Sequence, residues 1–347
     1  MIYDRLEKLK QVVKGKKVLI LTHNNPDPDA VAAGWALSFL LKRKFKIGSV
    51  LVYGGLITRA ENRTMIHLLN IAIKPLEMVN IHSFRTVALV DTQPGAGNNS
   101  LPPSVRPSIV IDHHGLRKAT HGVEFADVRP NCGSVATILA EYLIEAGLAI
   151  KRKMATALYY GIKTDTQDLG RNATDADYKA AITLYPNMDL KALSRIEHPE
   201  LPRNYFANLD RALHEAKIYG DVILCDLGLL TRPDLVALTS DFLIRIAGVR
   251  WSFVMGADDS RFIFSLRTRR PNQNAALVAR RLINGLGLAG GHGMVAGGQI
   301  VKRGFPSEKQ KRIAETLQKR FLKIVGRETA NEERLLPPEG QFSRRKR

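Results

Sequence analysis

Apolar positions follow two patterns along this chain. Runs without alternation, rich in β-branched residues, occupy 17–22, 47–52, 86–90 and 108–111, the last bounded by Pro107. Such runs predict strands buried on both faces, as in a parallel sheet, because a half-exposed strand would alternate. Between and after them, helical patterning predicts helices over 4–13, 30–41, 61–69, 134–145, 154–161 and 175–186. Alternating strands and helices imply right-handed βαβ units, and such sheets bind ligands outside the carboxyl ends of their strands. The texture then changes. Residues 186–202 carry scattered charges and prolines and read as a linker running into a helix over 205–216. Strands over 218–225, 251–255 and 261–266 follow, with Asp258-Asp259-Ser260 as a turn and helices over 233–246, 274–284 and 307–324. A glycine-dense loop spans 289–298.

The ends of the apolar runs carry the chemistry. The 17–22 strand is followed by His23-Asn24-Asn25-Pro26-Asp27-Pro28-Asp29. Two prolines stiffen this loop, which projects one imidazole and two acids. Asp29 is open to a plainer reading, the N-cap of the next helix. The 86–90 strand ends on Asp91-Thr92, and the 108–111 strand on Asp112-His113-His114. The helix over 154–161 is followed by Gly161-Ile162-Lys163-Thr164-Asp165-Thr166. Four acids gathered at one sheet edge would repel one another, and two divalent cations between them resolve the conflict.

Composition narrows the field. At 347 residues the chain exceeds one ordinary core, so two domains are expected. A hydrophobic fraction of 45% with 24% charged residues is that of a globular protein. Cys132 and Cys225, the two cysteines, lie far apart in no metal-binding spacing. That excludes a disulfide scaffold or zinc finger and suits a reducing cytoplasm. No apolar stretch has the length of a membrane span, so no membrane association is expected. The net charge of +19 favours a polyanionic partner. Aromatics make up only 7% and are not clustered, which disfavours a general nucleic-acid-binding surface with stacking platforms.

The ordered set His23-x-x-Pro26-Asp27-x-Asp29, Val90-Asp91-Thr92, Asp112-His113-His114 and Gly161-Ile162-x-Thr164-Asp165-Thr166 resembles the DHH phosphoesterase superfamily. The glycine loop with His292 resembles the DHHA1 domain that follows the catalytic domain in one branch, so the likeness runs from about residue 15 to residue 325. Size and arrangement look most like the small oligoribonuclease and phosphoadenosine-phosphate phosphatase (nanoRNase) type.

The resemblance implies an α/β protein with a parallel-sheet DHH domain over 1–188 and a linker with a helix over 189–216. A smaller mixed α/β DHHA1 domain over 217–326 completes it, with a cleft between the domains; residues 327–347, which lose apolar periodicity and end Arg344-Arg345-Lys346-Arg347, read by themselves as a disordered basic tail. The resemblance also implies two Mn²⁺ ions, with Mg²⁺ or Co²⁺ as substitutes. His23, Asp27 and Asp91 would hold the first; Asp29, Asp91, His113 and Asp165 the second, with Asp91 bridging. Mixed imidazole and carboxylate ligands suit Mn²⁺ better than Mg²⁺. Asp112 would orient a ligand and His114 would contact the scissile phosphate, making Asp91, Asp112 and His114 the catalytic set. Gly290, Gly291 and His292 would grip substrate, although Ala289 stands where the family's first glycine is usual. Arg267, in Ser265-Leu266-Arg267, would hold a substrate phosphate bidentately. Arg59, Asn62 and Arg63 read as a solvated helix face, and Gln167-Asp168 replace a common glycine.

The function expected is hydrolysis of very short RNA, such as dinucleotides, to 5′-mononucleotides, with 3′-phosphate removal from phosphoadenosine phosphate. Cyclic or linear dinucleotide signals are the alternative substrates. A sensing protein that binds nucleotides without cutting is the alternative of another class, and it would be expected to lack a metal ligand. Chain length, base preference and oligomeric state stay open, with a homodimer allowed.

Overall fold

The computed structural model describes residues 2–57, 59–201, 203–230, 232–270, 272–301 and 307–336. The chain forms two units, Met1–Glu200 and Leu201–Arg347. The first runs α1 (Ile2–Val12), β1 (Lys17–Thr22), α2 (Pro28–Lys44), β2 (Gly48–Tyr53), α3 (Ala60–Leu69), β3 (Ile73–Pro75), β4 (Thr86–Val90), β5 (Ile109–Asp112), β6 (Phe125–Val128), α4 (Val135–Glu145), α5 (Arg152–Asp165), α6 (Asp175–Leu184) and α7 (Leu190–Glu197).

The six strands form one sheet of order β3-β2-β1-β4-β5-β6, parallel throughout. Its core explains the runs without alternation. Val18, Ile20, Ala88, Val90, Ile109 and Ile111 pack in one cluster with apolar residues of α2, α4 and α5, while Leu19, Leu21, Val87, Leu89 and Val110 pack in another. The second cluster is closed by Leu76, Val79, Phe84, Leu101, Val105 and Val123, outside the α-helices. The strand order reverses direction between β1 and β4, so the carboxyl ends of these strands flank a switch-point crevice.

The second unit runs α8 (Arg203–Glu215), β7 (Lys217–Tyr219), β8 (Val222–Leu229), α9 (Asp234–Leu243), β9 (Trp251–Ala257), β10 (Arg261–Thr268), α10 (Ala275–Ile283), β11 (Leu288–His292), β12 (Val295–Val301), α11 (Ser307–Ile324) and β13 (Glu332–Arg334). Its sheet is mixed, of order β11-β12-β10-β9-β8-β7-β13, with β8 and β9 parallel and the other neighbours antiparallel. Apolar residues of α10 and α11 fill one core cluster and those of α8 and α9 another. Both cysteines are buried and free. Among the described residues no helix is long and apolar enough to cross a membrane.

The structure departs from the sequence expectations where short elements lack a strong pattern. Strands β3 and β6, of three and four residues, carry too few positions to show one. The stretch read as a linker is divided: Leu193 and Ile196 of α7 join the first unit's core, and Ala212 and Ala216, at the end of α8 and just beyond it, join the second unit's. The boundary therefore falls between 200 and 201. The glycine-dense loop is a hairpin of β11 and β12, because small residues let the strands pair closely: a Cβ on Gly291 would stand 2.3 Å from the Val295 carbonyl oxygen. Part of the tail read as disordered is ordered too, since Glu332–Arg334 pairs with β7; residues 337–347 lie outside the described residues.

Candidate metal centre

β1 ends at Thr22, and the loop after it delivers His23, Asp27 and Asp29. Asp27 is the N-cap of α2, its Oδ1 accepting the Ala30 N–H at 3.0 Å. Asp29 is not that cap. It lies in the first turn of α2, and its two oxygens accept the N–H groups of Ala136 (2.7 Å) and Val135 (2.8 Å) at the start of α4. A carboxylate at that helix N-terminus is favoured by the helix dipole. The loop is braced by Asn62, whose amide donates to the Pro26 carbonyl at 3.0 Å. Asn62 is buried, which corrects its assignment to a solvated face.

Asp91 follows β4 with φ 59°, the left-handed region, and is 2% exposed. Its Oδ2 lies 3.4 Å from Nε2 of His23, and its Oδ1 lies 3.5 Å from Nε2 of His113. Both rings are held from behind: Nδ1 of His23 meets the Asn24 carbonyl at 3.0 Å and Nδ1 of His113 the Cys132 carbonyl at 3.1 Å. Those contacts place the Nδ1 proton, so that in the neutral rings Nε2 presents the lone pair, the arrangement of a metal-ligating histidine. Oδ1 of Asp91 is buried and accepts no hydrogen bond.

Three sets of donor atoms each lie within 4.8 Å of one another: His23, Asp27 and Asp91; Asp29, His113 and Asp165; Asp91, His113 and His114. The residues expected to hold two ions are thus brought together, Asp91 standing beside both histidines. His114 joins the third set, although the sequence reading kept it for the phosphate. Electrostatics describe a site suited to cations. Burial and then the charge of Asp27 push the Asp165 carboxyl up to about 7, Asp91 adding to the effect. Asp29 is raised well above the usual carboxylate range, by burial first and then by Asp91, Asp165 and Asp27. Burial opposes charge on His23, yet Asp27 and Asp91 outweigh it and raise its pKa well above the ordinary value. Those same contacts with His23 overcome burial at Asp27 and hold it low. An orphaned buried oxygen and a mixed imidazole–carboxylate set fit divalent cations.

The helix carrying Asp165 is longer than its pattern suggests. The glycine motif lies within α5, with Asp165 in its last turn. Gly161 permits the packing: a Cβ there would stand 3.1 Å from Cα of Asp29 and 3.1 Å from Cβ of Ala136. Beyond the helix Gln167, Asp168 and Leu169 all take positive φ (48°, 58° and 63°), so the turn that glycine commonly makes is made here by side-chain-bearing residues. Arg171 Nη2 donates to the Asp165 carbonyl at 3.1 Å.

Asp112 does not face the other acids. One oxygen, Oδ1, takes the His113 N–H (2.9 Å), the His114 N–H (3.3 Å) and His114 Nδ1 (2.9 Å). The other takes Nε2 of Gln93 at 2.6 Å. Gln93, absent from the sequence candidates, also donates to the Gly115 carbonyl and accepts from the Arg117 N–H and Thr120 Oγ1. Its only sequence signal is its place two residues beyond Asp91. Burial raises the Asp112 carboxyl, but His114 and Gln93 more than offset this and hold it low. His114, in turn, is raised above its ordinary value despite burial, chiefly by Asp112 and then Asp91.

In the second unit Gly290, Gly291 and His292 lie on β11; the His292 side chain lies outside the described part. Arg267 corrects the sequence reading. It is buried, its Nε and Nη2 bond the two oxygens of Asp241, and its Nη1 bonds Ser265 Oγ and the Leu266 carbonyl. A guanidinium engaged on three sides braces the strand rather than waiting for phosphate.

A profile of the DHH family's N-terminal domain matches residues 17–162. The chain is 32% identical over 333 residues to an uncharacterized protein of Methanocaldococcus jannaschii, MJ1633, spanning 93% of this chain and 67% of that one. A second uncharacterized protein of that organism, MJ0988, is 28% identical over 170 residues, 46% of this chain and 49% of that one. The crystal structure of an exopolyphosphatase-related protein from Bacteroides fragilis matches at a TM-score of 0.70, covering 93% of this chain and 98% of that one. At 15% identity that likeness is one of fold.

Proposed function

The chain belongs to the DHH family, and from that premise we propose that it is a phosphodiesterase of very short RNA. Its substrates are dinucleotides, cut to 5′-mononucleotides, and phosphoadenosine phosphate, which loses its 3′-phosphate. The observation that carries this reading is Asp91: a buried carboxylate in left-handed backbone, between the Nε2 atoms of two braced histidines, with one oxygen left without a hydrogen bond. Such a residue is suited to bridging two cations.

His23, Asp27 and Asp91 would hold one Mn²⁺, and Asp29, Asp91, His113 and Asp165 the other, Mg²⁺ or Co²⁺ substituting. When bound, the pair supplies an activated water and neutralises charge on the phosphoryl group. The chain's own groups do the rest. The Asn24 and Cys132 carbonyls keep the two ligand rings in one tautomer. Asp112 sustains positive charge on His114, which offers it to the phosphate as negative charge develops. Small residues of β11, Gly290 and Gly291 beside His292, allow a nucleotide to approach the backbone.

The test is release of 5′-AMP from 5′-phosphorylated ApA, with and without Mn²⁺, in wild type and His113→Ala. Release that needs Mn²⁺ and vanishes in the variant is expected. No release from a protein that binds Mn²⁺ would overturn the reading.

A further inference from the structure

One end of the second unit's sheet carries more positive charge than its ion pairs consume. Four arginines meet there from separate stretches: Arg250 just before β9, Arg269 and Arg270 just after β10, and Arg327 after α11. One carboxylate, Asp221 in the β7–β8 turn, faces three of them. It accepts from Arg270 Nη2 at 2.6 Å and Arg327 Nε at 2.8 Å, with Arg250 Nε at 4.0 Å. The backbone ties the group into one body. The Asp221 carbonyl accepts the Arg250 N–H at 2.7 Å, and the Arg250 carbonyl accepts the Arg269 N–H at 3.0 Å.

Among the described residues no second carboxylate pairs with any of the four. The two oxygens of Asp221 take Arg270 and Arg327, so four guanidinium charges stand here against a single carboxylate and the charge of at least two is not matched by an acid in contact. Arg250 is 62% exposed, Arg269 is exposed, and Nε of Arg270 is buried with no partner. The same sheet end carries the β11–β12 turn. The N–H of Thr268, the residue before Arg269, donates to the Met294 carbonyl at 2.9 Å. The arginines thus begin beside the hairpin that bears Gly290, Gly291 and His292.

We propose that this cluster binds the backbone phosphates of an oligonucleotide longer than the dinucleotide substrate. Guanidinium forks fit phosphate oxygens in pairs, and a fixed positive surface on strand ends draws a polyanion by releasing its counterions. The identity of the strand as RNA rests on the function proposed above; the phosphate site itself does not.

Binding of a fluorescein-labelled 10-mer oligoribonucleotide, followed by anisotropy in EDTA so that no strand is cut, tests this with Arg250→Ala/Arg269→Ala and Arg250→Lys/Arg269→Lys. The alanine pair should bind several-fold more weakly at about 0.1 M salt, with a salt dependence shallower by about 0.7 for each phosphate no longer neutralised. The lysine pair should retain most of the affinity and the slope. Cleavage of the dinucleotide with Mn²⁺ should be unchanged in both. An alanine pair with wild-type affinity and slope would overturn the proposal. If the dinucleotide is not cut by any form, the function proposed above fails, while the anisotropy still reads the arginine site.

Discussion

The side-chain amide of Gln93 donates to Oδ2 of Asp112 across 2.6 Å, while Oδ1 of the same carboxylate holds His114 Nδ1 at 2.9 Å. Gln93 reaches over from beyond β4 to fix the turn beyond β5 and, through it, the orientation of an imidazole at the candidate metal centre.

Gln93→Ala should therefore act at a distance. It strands a buried carboxylate oxygen together with the Arg117 N–H and Thr120 hydroxyl. The expected loss is about 2 kcal/mol or more in a urea titration. Mononucleotide release should fall with it. Gln93→Glu keeps the shape but sets a second negative charge against Asp112, and should be at least as damaging. A Gln93→Ala protein with wild-type midpoint and rate would show the network to be incidental.

Asp91→Asn separates charge from shape. Asparagine tolerates the left-handed backbone at least as well as aspartate. The substitution also removes one of four crowded carboxylates, so the metal-free midpoint should hold or rise. Stabilisation by Mn²⁺ should be lost, whereas wild type gains about 2.7 kcal/mol at a hundredfold excess over Kd. Melting curves with and without MnCl₂ read both effects.

Without metal, stability should fall as pH rises from 5 to 8. With Asp165 raised to about 7 and Asp29 raised too, the folded chain keeps protons that unfolded carboxyls, near 3.9, release. Their contribution therefore declines as pH climbs through that window. His23, His113 and His114, all raised, have the same sign: their stabilisation is full below about 6.5 and is lost as pH passes their higher folded values. Asp27 and Asp112, held low, contribute oppositely, but only at pH near and below 4. Saturating Mn²⁺ should flatten or reverse the trend, because it binds the deprotonated ligands. Melting temperatures in EDTA that rise from pH 5 to 8 would contradict this electrostatic picture.

Gly161→Ala sets helix propensity against packing. The gain is about 1 kcal/mol for replacing a helical glycine. The added methyl meets the Asp29 backbone at 3.1 Å, which cannot swing aside as a side-chain tip would. Overpacking of about 1–3 kcal/mol should win, and α5 should carry Asp165 away from Asp29 and His113. Chemical denaturation gives the sign, and titration with Mn²⁺ gives the effect on the site.

Much of this architecture was legible in the chain itself. Runs such as 17–22 and 86–90 lack alternation because both faces of that sheet are buried, and an acid or imidazole at the end of such a run has to leave the core. His23, Asp27, Asp29, Asp91 and His113 could be picked out in this way, and Asp165 as an acid at the end of an apolar helix, with the family resemblance adding their grouping. Pattern could not decide matters that depend on partners distant in sequence. The order β3-β2-β1-β4-β5-β6 sets β1 beside β4, and that adjacency carries His23 to Asp91. Asp29 could cap its own helix or another, and only packing selects the N–H groups of Val135 and Ala136. Gln93 and Asn62 have no periodicity to mark them, since their importance lies in the hydrogen bonds they complete across the fold. Arg267 erred in the opposite direction: the family resemblance implied an open cation, and tertiary structure supplied the Asp241 carboxylate that a buried guanidinium requires. Local sequence determines which residues must leave the apolar layers, whereas the long-range register determines what they meet there.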